Sequence, residues 1–421
     1  MLWNALFAGS TFMIPADPFQ KICAAAAASW FFGEGSFTIE GSFTMTTECP
    51  QQADMADQTF GISLSEISNH IRPLQARILM AKPFGRLVRF ESEESRRRPR
   101  VLLIAPLSGH RSILLDDMIV ALAQDHDLHL VEWADASKVA LSAGRFGLDG
   151  NIGYLVDFLR FLGDDLHLIG LCQSALPSIA ATAVAAMGGT TAPRSMTLLG
   201  GKIDPRNSPT RGDLLAKRQS IPWLEQNCMI RVASSDAGMG RLVYPASIQK
   251  AALLAYLTRH LLAGGELFGK LMKDDGEYAA GRPFLDLFFS VADLPAEFFL
   301  ETIVSVFQRF DFPRGRLIWQ GEKIEPAAIT RTALFTIEGA QDDVSGPGQT
   351  NVAHDLCANI PKLWRESYVQ SGVGHFGLFH GAIWRSTILP RVRRFIRAQD
   401  RKKASGLSPP PSQSNPSSII A

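Results

Sequence analysis

The run Leu166-His-Leu-Ile-Gly-Leu-Cys172-Gln-Ser-Ala-Leu-Pro-Ser-Ile-Ala180 passes from a short apolar stretch into an Ala-rich one with no loop-forming residues between them. A buried strand that turns straight into a helix, with Gly170 two places before the central residue, is the pattern of a nucleophile elbow. The turn forces residue 172 into a strained backbone conformation at the helix N-terminus. There the helix dipole and the backbone N–H of Gln173 can stabilise negative charge. A cysteine at that point gains twice, because the dipole lowers its thiol pKa and a neighbouring histidine can take its proton. Two places after Cys172 the usual box has glycine and this chain has Ser174. G-x-S-x-G occurs nowhere in the sequence, so no serine competes with Cys172 as the candidate nucleophile.

Outward from this elbow, short runs rich in Val, Ile and Leu alternate with helical patterns, the mark of βαβ units and a parallel sheet. Strands are expected over residues 100–105, 128–133, 166–171, 195–199, 333–337 and 366–370, with helices over 113–123, 152–162 and 175–187. Elbow and alternation together point to an α/β-hydrolase fold, with helices on both faces of a mostly parallel sheet. Between Asp204 and about residue 325 the alternation stops, and helix formers and aromatics take over, as in 251–262 and 284–310. An insertion of that length reads as a helical cap over the active face. The expected organisation is a weakly patterned N-terminal segment (1–85, with a helix near 63–79), core (86–204), cap (205–330), core (331–398) and a disordered, Pro- and Ser-rich tail (399–421).

In this fold the nucleophile is followed along the chain by the acid and then the histidine. The expected strand 333–337 leads into Gly339-Ala-Gln-Asp342-Asp343, where either aspartate could serve as the acid. Three histidines follow. His354 lies in a helical pattern, His380 opens the last helix, and His375 sits in Ser371-Gly-Val-Gly-His375-Phe-Gly377, a loop whose glycines allow close backbone approach. His375 is therefore the candidate base. The loop Ala105-Pro-Leu-Ser-Gly-His110 is where a second oxyanion N–H should arise, from Leu107 or Ser108, beside that of Gln173. Trp133, Asp135 and Asp204 fall at or near strand ends and could line the pocket; Trp133 and Asp204 are taken as substrate-binding candidates.

Length and composition restrict the alternatives. The 421 residues allow one large domain with insertions or two ordinary ones, and the net charge of +1 carries no general pull toward nucleic acid. Five scattered cysteines without a CxxC pair suit reduced thiols rather than disulfides or a zinc site. The N-terminus lacks the basic start of a secretory signal, and no apolar run reaches about 18 residues, so no transmembrane segment is expected and a soluble intracellular protein is. Oligomeric state is not legible.

A wider set of strings resembles the intracellular polyhydroxybutyrate depolymerases. It comprises Ala105 to His110, Glu132-Trp-Ala-Asp135, Leu141-Ser-Ala-Gly144, Cys172-Gln173, Leu199-Gly-Gly201 with Ile203-Asp204, Ala292-Asp-Leu-Pro-Ala-Glu-Phe298, Gly339 to Asp343, and Gly374-His-Phe-Gly377. The resemblance runs from about residue 82 to 397 and leaves the first 80 or so residues unmatched. It implies a Cys172–Asp342–His375 triad, favouring Asp342 over Asp343, and hydrolysis of native poly(3-hydroxybutyrate) at the surface of storage granules in the cytoplasm. No metal or organic cofactor is implied. Two other readings share the fold: a polyhydroxyalkanoate synthase-like acyltransferase, and a non-catalytic granule-binding relative.

Overall fold

The computed structural model describes residues 75–91, 98–107, 115–189, 192–233, 236–262 and 291–404. Eight strands form one sheet: β1 (Gln75–Lys82), β2 (Gly85–Glu91), β3 (Arg100–Ile104), β4 (Asp127–Trp133), β5 (His167–Leu171), β6 (Ser195–Leu199), β7 (Ala333–Gly339) and β8 (Arg365–Gln370). Their order across the sheet is β1-β2-β4-β3-β5-β6-β7-β8. β2 runs antiparallel to both neighbours, and every other pairing is parallel. This topology, with β5 at the centre and helices on both faces, is the α/β-hydrolase fold.

The period of two along each strand divides the core. Leu102 and Ile104 of β3 face one apolar cluster and Val101 and Leu103 the other. Helices α1 (Asp116–Ala123), α2 (Leu148–Leu162) and α3 (Ala175–Met187) follow β3, β4 and β5; α4 (Arg211–Arg218), α5 (Ile221–Cys228), α6 (Ala246–Leu262) and α7 (Ala296–Thr302) lie between β6 and β7; α8 (Leu389–Ala404) comes last. Ile152, Leu155 and Phe158 of α2 and Ile179 and Ala183 of α3 fill the first cluster. Ile119 and Leu122 of α1 and Val392, Phe395 and Ile396 of α8 fill the second.

The six expected strands are present within a residue or two. Four features differ. The core begins before residue 86, because β1 and β2 form an antiparallel hairpin at the sheet edge. Over 75–79 the expected helix is strand, and 63–74 lie outside the described residues. β1 is half-exposed and its register shifts between Ile78 and Met80, so its side chains show no clean alternation. The insertion is not purely helical: residues 230–231, 242–244 and 294–295 form a small antiparallel sheet, and 318–319 pair with 322–323. α8 continues past residue 398 to Ala404.

Caps in the insertion follow from local chemistry. Thr210 accepts from the Asp213 N–H while Asp213 accepts from the Thr210 N–H, opening α4. Ser220 caps α5 ahead of Pro222.

Candidate active site

β5 ends at Leu171 and the chain turns at once through Cys172–Ser174 into α3. Cys172 takes φ +49°, a left-handed conformation that costs a non-glycine residue about 1–3 kcal/mol and is kept where the surroundings enforce it. Two features enforce it. A side chain at Gly170 would put its Cβ 2.6 Å from Ser178 Oγ on α3, so only glycine lets the helix fold back this closely. The buried Ser174 hydroxyl accepts from the Leu171 N–H at 2.8 Å and lies 2.8 Å from both Leu171 O and Ile104 O, tying the turn to β3. Serine at this place is thus a latch on the elbow.

The loops after β7 and β8 bring the other two groups to the same strand ends. Gln341 N–H donates to Val373 O at 3.0 Å, joining the two loops. Gly339 permits the approach, since a Cβ there would sit 2.7 Å from that same oxygen. Asp342 Oδ1 accepts the Val344 and Ser345 N–H groups at 2.9 and 2.7 Å, while its Oδ2 faces His375 Nδ1 at 2.8 Å. His375 Nε2 lies 3.1 Å from Cys172 Sγ. Of the acid candidates, Asp342 meets the histidine. Asp343 turns the other way, to Tyr256 Oη at 3.0 Å, His260 Nε2 at 2.9 Å and the Arg259 guanidinium, all on α6. His354 bonds Thr336, away from Cys172. His380 also reaches the cavity wall.

The electrostatics favour an ion pair. Burial alone would raise the Cys172 thiol, yet the positive charge of His375 and its hydrogen bond bring the thiol below its ordinary value. Burial alone would lower His375, and the charges of Asp342 and Cys172, with their hydrogen bonds, push it up instead. Both shifts favour the proton on the imidazole over the proton on the sulfur, with Asp342 within hydrogen-bond reach of Nδ1.

A cavity of about 340 Å³ opens over Cys172 and His375. The core contributes Pro106, Leu171, Gln173 and Phe379 to its wall, and the insertion contributes, among others, Leu253, Phe299 and Phe307. Leu107 is buried next to Pro106, and Ser108 lies outside the described residues. The expected substrate contacts need correction. Trp133 and Asp204 do not line the cavity: the Trp133 indole donates to Ala105 O at 2.8 Å and stacks near Tyr154, and Asp204 takes up Arg206. Asp135 caps the turn at residues 136–138. In the aromatic stretch, Phe298 is core and Phe299 is wall; residues 284–290 lie outside the described residues.

Sequence reading missed Lys202, Tyr256 and Phe376 in the wall. It also missed the reason for Gly200-Gly201. Gly200 has φ +54°, and a Cβ there would crowd Leu378 and His375, while one at Gly201 would overlap Ala175. A Gly-Gly pair at a strand end next to the elbow was the available signal.

Residues 200–400 match the model of the family described as PHB de-polymerase C-terminus, a span that holds the insertion, Asp342 and His375. No curated protein matches the sequence. Among solved structures, an esterase from Rhodococcus sp. is 19% identical with TM-score 0.45, over 77% of this chain and 99% of that one. The naproxen esterase (carboxylesterase NP) of Bacillus subtilis is 15% identical with TM-score 0.45, over 82% and 99%.

Proposed function

We propose, for a chain that through residues 200–400 belongs to the PHB depolymerase family, that it hydrolyses the ester bonds of poly(3-hydroxybutyrate) with Cys172 as nucleophile, His375 as acid and base, and Asp342 as the group that orients His375. The observation that carries this reading is one arrangement: a strained Cys172 within 3.1 Å of His375 Nε2, with Asp342 behind it, on the wall of a largely apolar cavity. An apolar wall suits a polyester with methyl side groups, and two facing polar groups suit its carbonyl.

In the first step the Cys172 thiolate attacks the ester carbonyl carbon. The tetrahedral oxyanion forms beside the N–H groups at the start of α3 and the Pro106–Leu107 loop. Collapse expels the alkoxide of the remaining chain, which takes the proton from His375 Nε2. In the second step His375, now neutral, accepts a proton from water as that water attacks the thioester, and the 3-hydroxy acid leaves with thiolate restored. Asp342 keeps Nδ1 protonated in both steps, so Nε2 always faces the reaction. The site of action is the surface of the storage granule.

Native amorphous granules test this directly. The wild type should clear their turbidity and release soluble 3-hydroxybutyrate without coenzyme A, and Cys172→Ala should do neither. Equal clearing by the variant would remove Cys172 from its role. Clearing by neither would leave a granule-binding protein, and a requirement for coenzyme A would favour an acyltransferase.

A further inference from the structure

Lys202 is the one Lys or Arg among the described residues of the cavity wall. It follows Gly200-Gly201 at the end of β6, against the elbow, where a Cβ on Gly201 would lie 3.3 Å from Cys172 O. Its ammonium stands 5.4 Å from the ring centre of Phe307, a wall residue of the insertion. The side chain keeps 18% exposure, so it is open rather than sealed behind the wall. Its positive charge also reaches Cys172, where it helps to lower the thiol.

The ion pair with Asp213 does not use this cation up. An ammonium has three N–H donors, and Asp213 Oδ1 takes one. Asp213 is itself buried and shared among three donors, since its Oδ2 also accepts the Thr210 N–H at 2.8 Å and Gln349 Nε2 at 2.7 Å. No second acceptor for Lys202 occurs among the described residues. Asp343, the carboxylate among the described wall residues, is held by Arg259 and His260 and does not compete. Asp213 therefore fixes the ammonium in place and leaves donors for an anion.

A polyester supplies an anion at one end only. Its interior repeats are neutral, and the carboxylate belongs to the acid-terminal unit. When Cys172 attacks the last ester, the departing alkoxide is that unit, whose carboxylate is separated from the leaving oxygen by two carbons. We propose that Lys202 binds the free carboxylate of the acid-terminal 3-hydroxyacyl unit, making the cavity selective for carboxylate-terminated chain ends and for the short oligomers that carry them.

This rests on the polyester reading above and adds direction to it. Attack at the last ester breaks the bond between its carbonyl carbon and the 3-oxygen of the terminal unit. That oxygen takes the proton of His375, and the unit departs as 3-hydroxy acid. Water then frees the acyl group from Cys172 as a carboxylic acid. One water is consumed per ester, and the shortened chain presents the same anion as its parent.

The test uses the linear dimer of 3-hydroxybutyrate, which has a single ester, and its carboxamide, in which a neutral group of nearly equal size replaces the carboxylate. The measured quantity is the ratio of kcat/KM for the two, which cancels any loss common to both, including a weaker thiolate. The wild type should favour the carboxylate by about tenfold or more, the worth of one charge-assisted hydrogen bond. In Lys202→Met the ratio should fall to about one. The same should hold in Lys202→Met combined with Asp213→Asn, which leaves no buried carboxylate without its partner. In Lys202→Arg, which keeps the charge, the preference should survive. A wild-type ratio near one overturns the inference, and so does a ratio unchanged by Lys202→Met, even with both rates reduced. Granules cleared while neither dimer is cleaved would overturn it and leave the polyester reading standing. If granules and dimers are all left intact, the polyester reading falls and the inference with it.

Discussion

Strand β5 carries the same three kinds of group at both of its ends. Beyond its C-terminal end, Cys172, His375 and Asp342 line up in hydrogen-bond reach. At its N-terminal end, His167 Nδ1 lies 2.7 Å from Ser195 Oγ and Nε2 lies 3.1 Å from Asp400 Oδ1, a serine, a histidine and an aspartate in sequence. By distance alone the second set would pass for a triad. Ser195 and His167 are, however, fully buried β-ladder partners on adjacent strands, away from the cavity wall, and Asp400 with Arg194 ties α8 to the sheet. The Cys172 end has what the other lacks: a positive φ that lifts the side chain off the strand, a helix N-terminus under it, and a cavity over it. Chemistry here is decided by backbone placement and access more than by residue type.

Substitutions at the two ends should therefore separate rate from stability. Cys172→Ala is expected to lower ester hydrolysis by about 10⁴-fold or more with little change in the thermal midpoint. Asp342→Asn should cost about 10³–10⁴-fold in kcat by releasing the imidazole tautomer. It should also move the alkaline limb of the pH profile downward. That shift has a definite sign. In the wild type, activity should fall on the acid side as pH drops through the depressed Cys172 pKa and protonates the thiolate. On the alkaline side it should fall as pH rises through the raised value of His375, about 10, and removes the proton the leaving group needs. Without the charge of Asp342, His375 gives up its proton at lower pH. A profile unchanged by Asp342→Asn would break the contrast.

The opposite end predicts the reverse behaviour. Ser195→Ala leaves a buried His167 nitrogen unpaired and should cost about 1–3 kcal/mol of stability by denaturant unfolding, with kcat retained. His126 and His129 are also buried, and burial lowers each from 6.5 to about 4. Both bind protons more readily when unfolded. Their contribution is complete above pH 6.5 and stability is lost as pH falls from there toward 4. Asp343→Asn, which loosens the tie between α6 and the acid loop, should have the smallest effect, about 1 kcal/mol for a partly exposed ionic contact.

The contrast also explains what could be read in advance. β3, β5, β6 and β7 are buried on both faces, so their apolar runs stand out, and a strand-to-helix junction at Cys172 is visible as composition alone. The edge strand β1 is half-exposed and its register against β2 shifts, and no run marks it. Spacing leaves Asp342 and Asp343 open and only the resemblance favours Asp342; what separates them physically is which way each side chain points, one to His375 and the other to α6. Trp133 fails for the same reason: it stands at a strand end, but its indole turns back to Ala105 O. The cavity wall draws residues from positions 106 to 380, brought together only by the insertion folding over the strand ends.

The most direct test of the central claim is to trap the acyl-enzyme. The wild type is mixed briefly with 4-nitrophenyl butyrate, quenched in acid, digested and mapped by mass spectrometry. The account predicts one butyryl group on the peptide carrying Cys172, labile to neutral hydroxylamine and absent after Cys172→Ala. Stable acylation of another residue, with Cys172 unmodified and turnover intact, would contradict it.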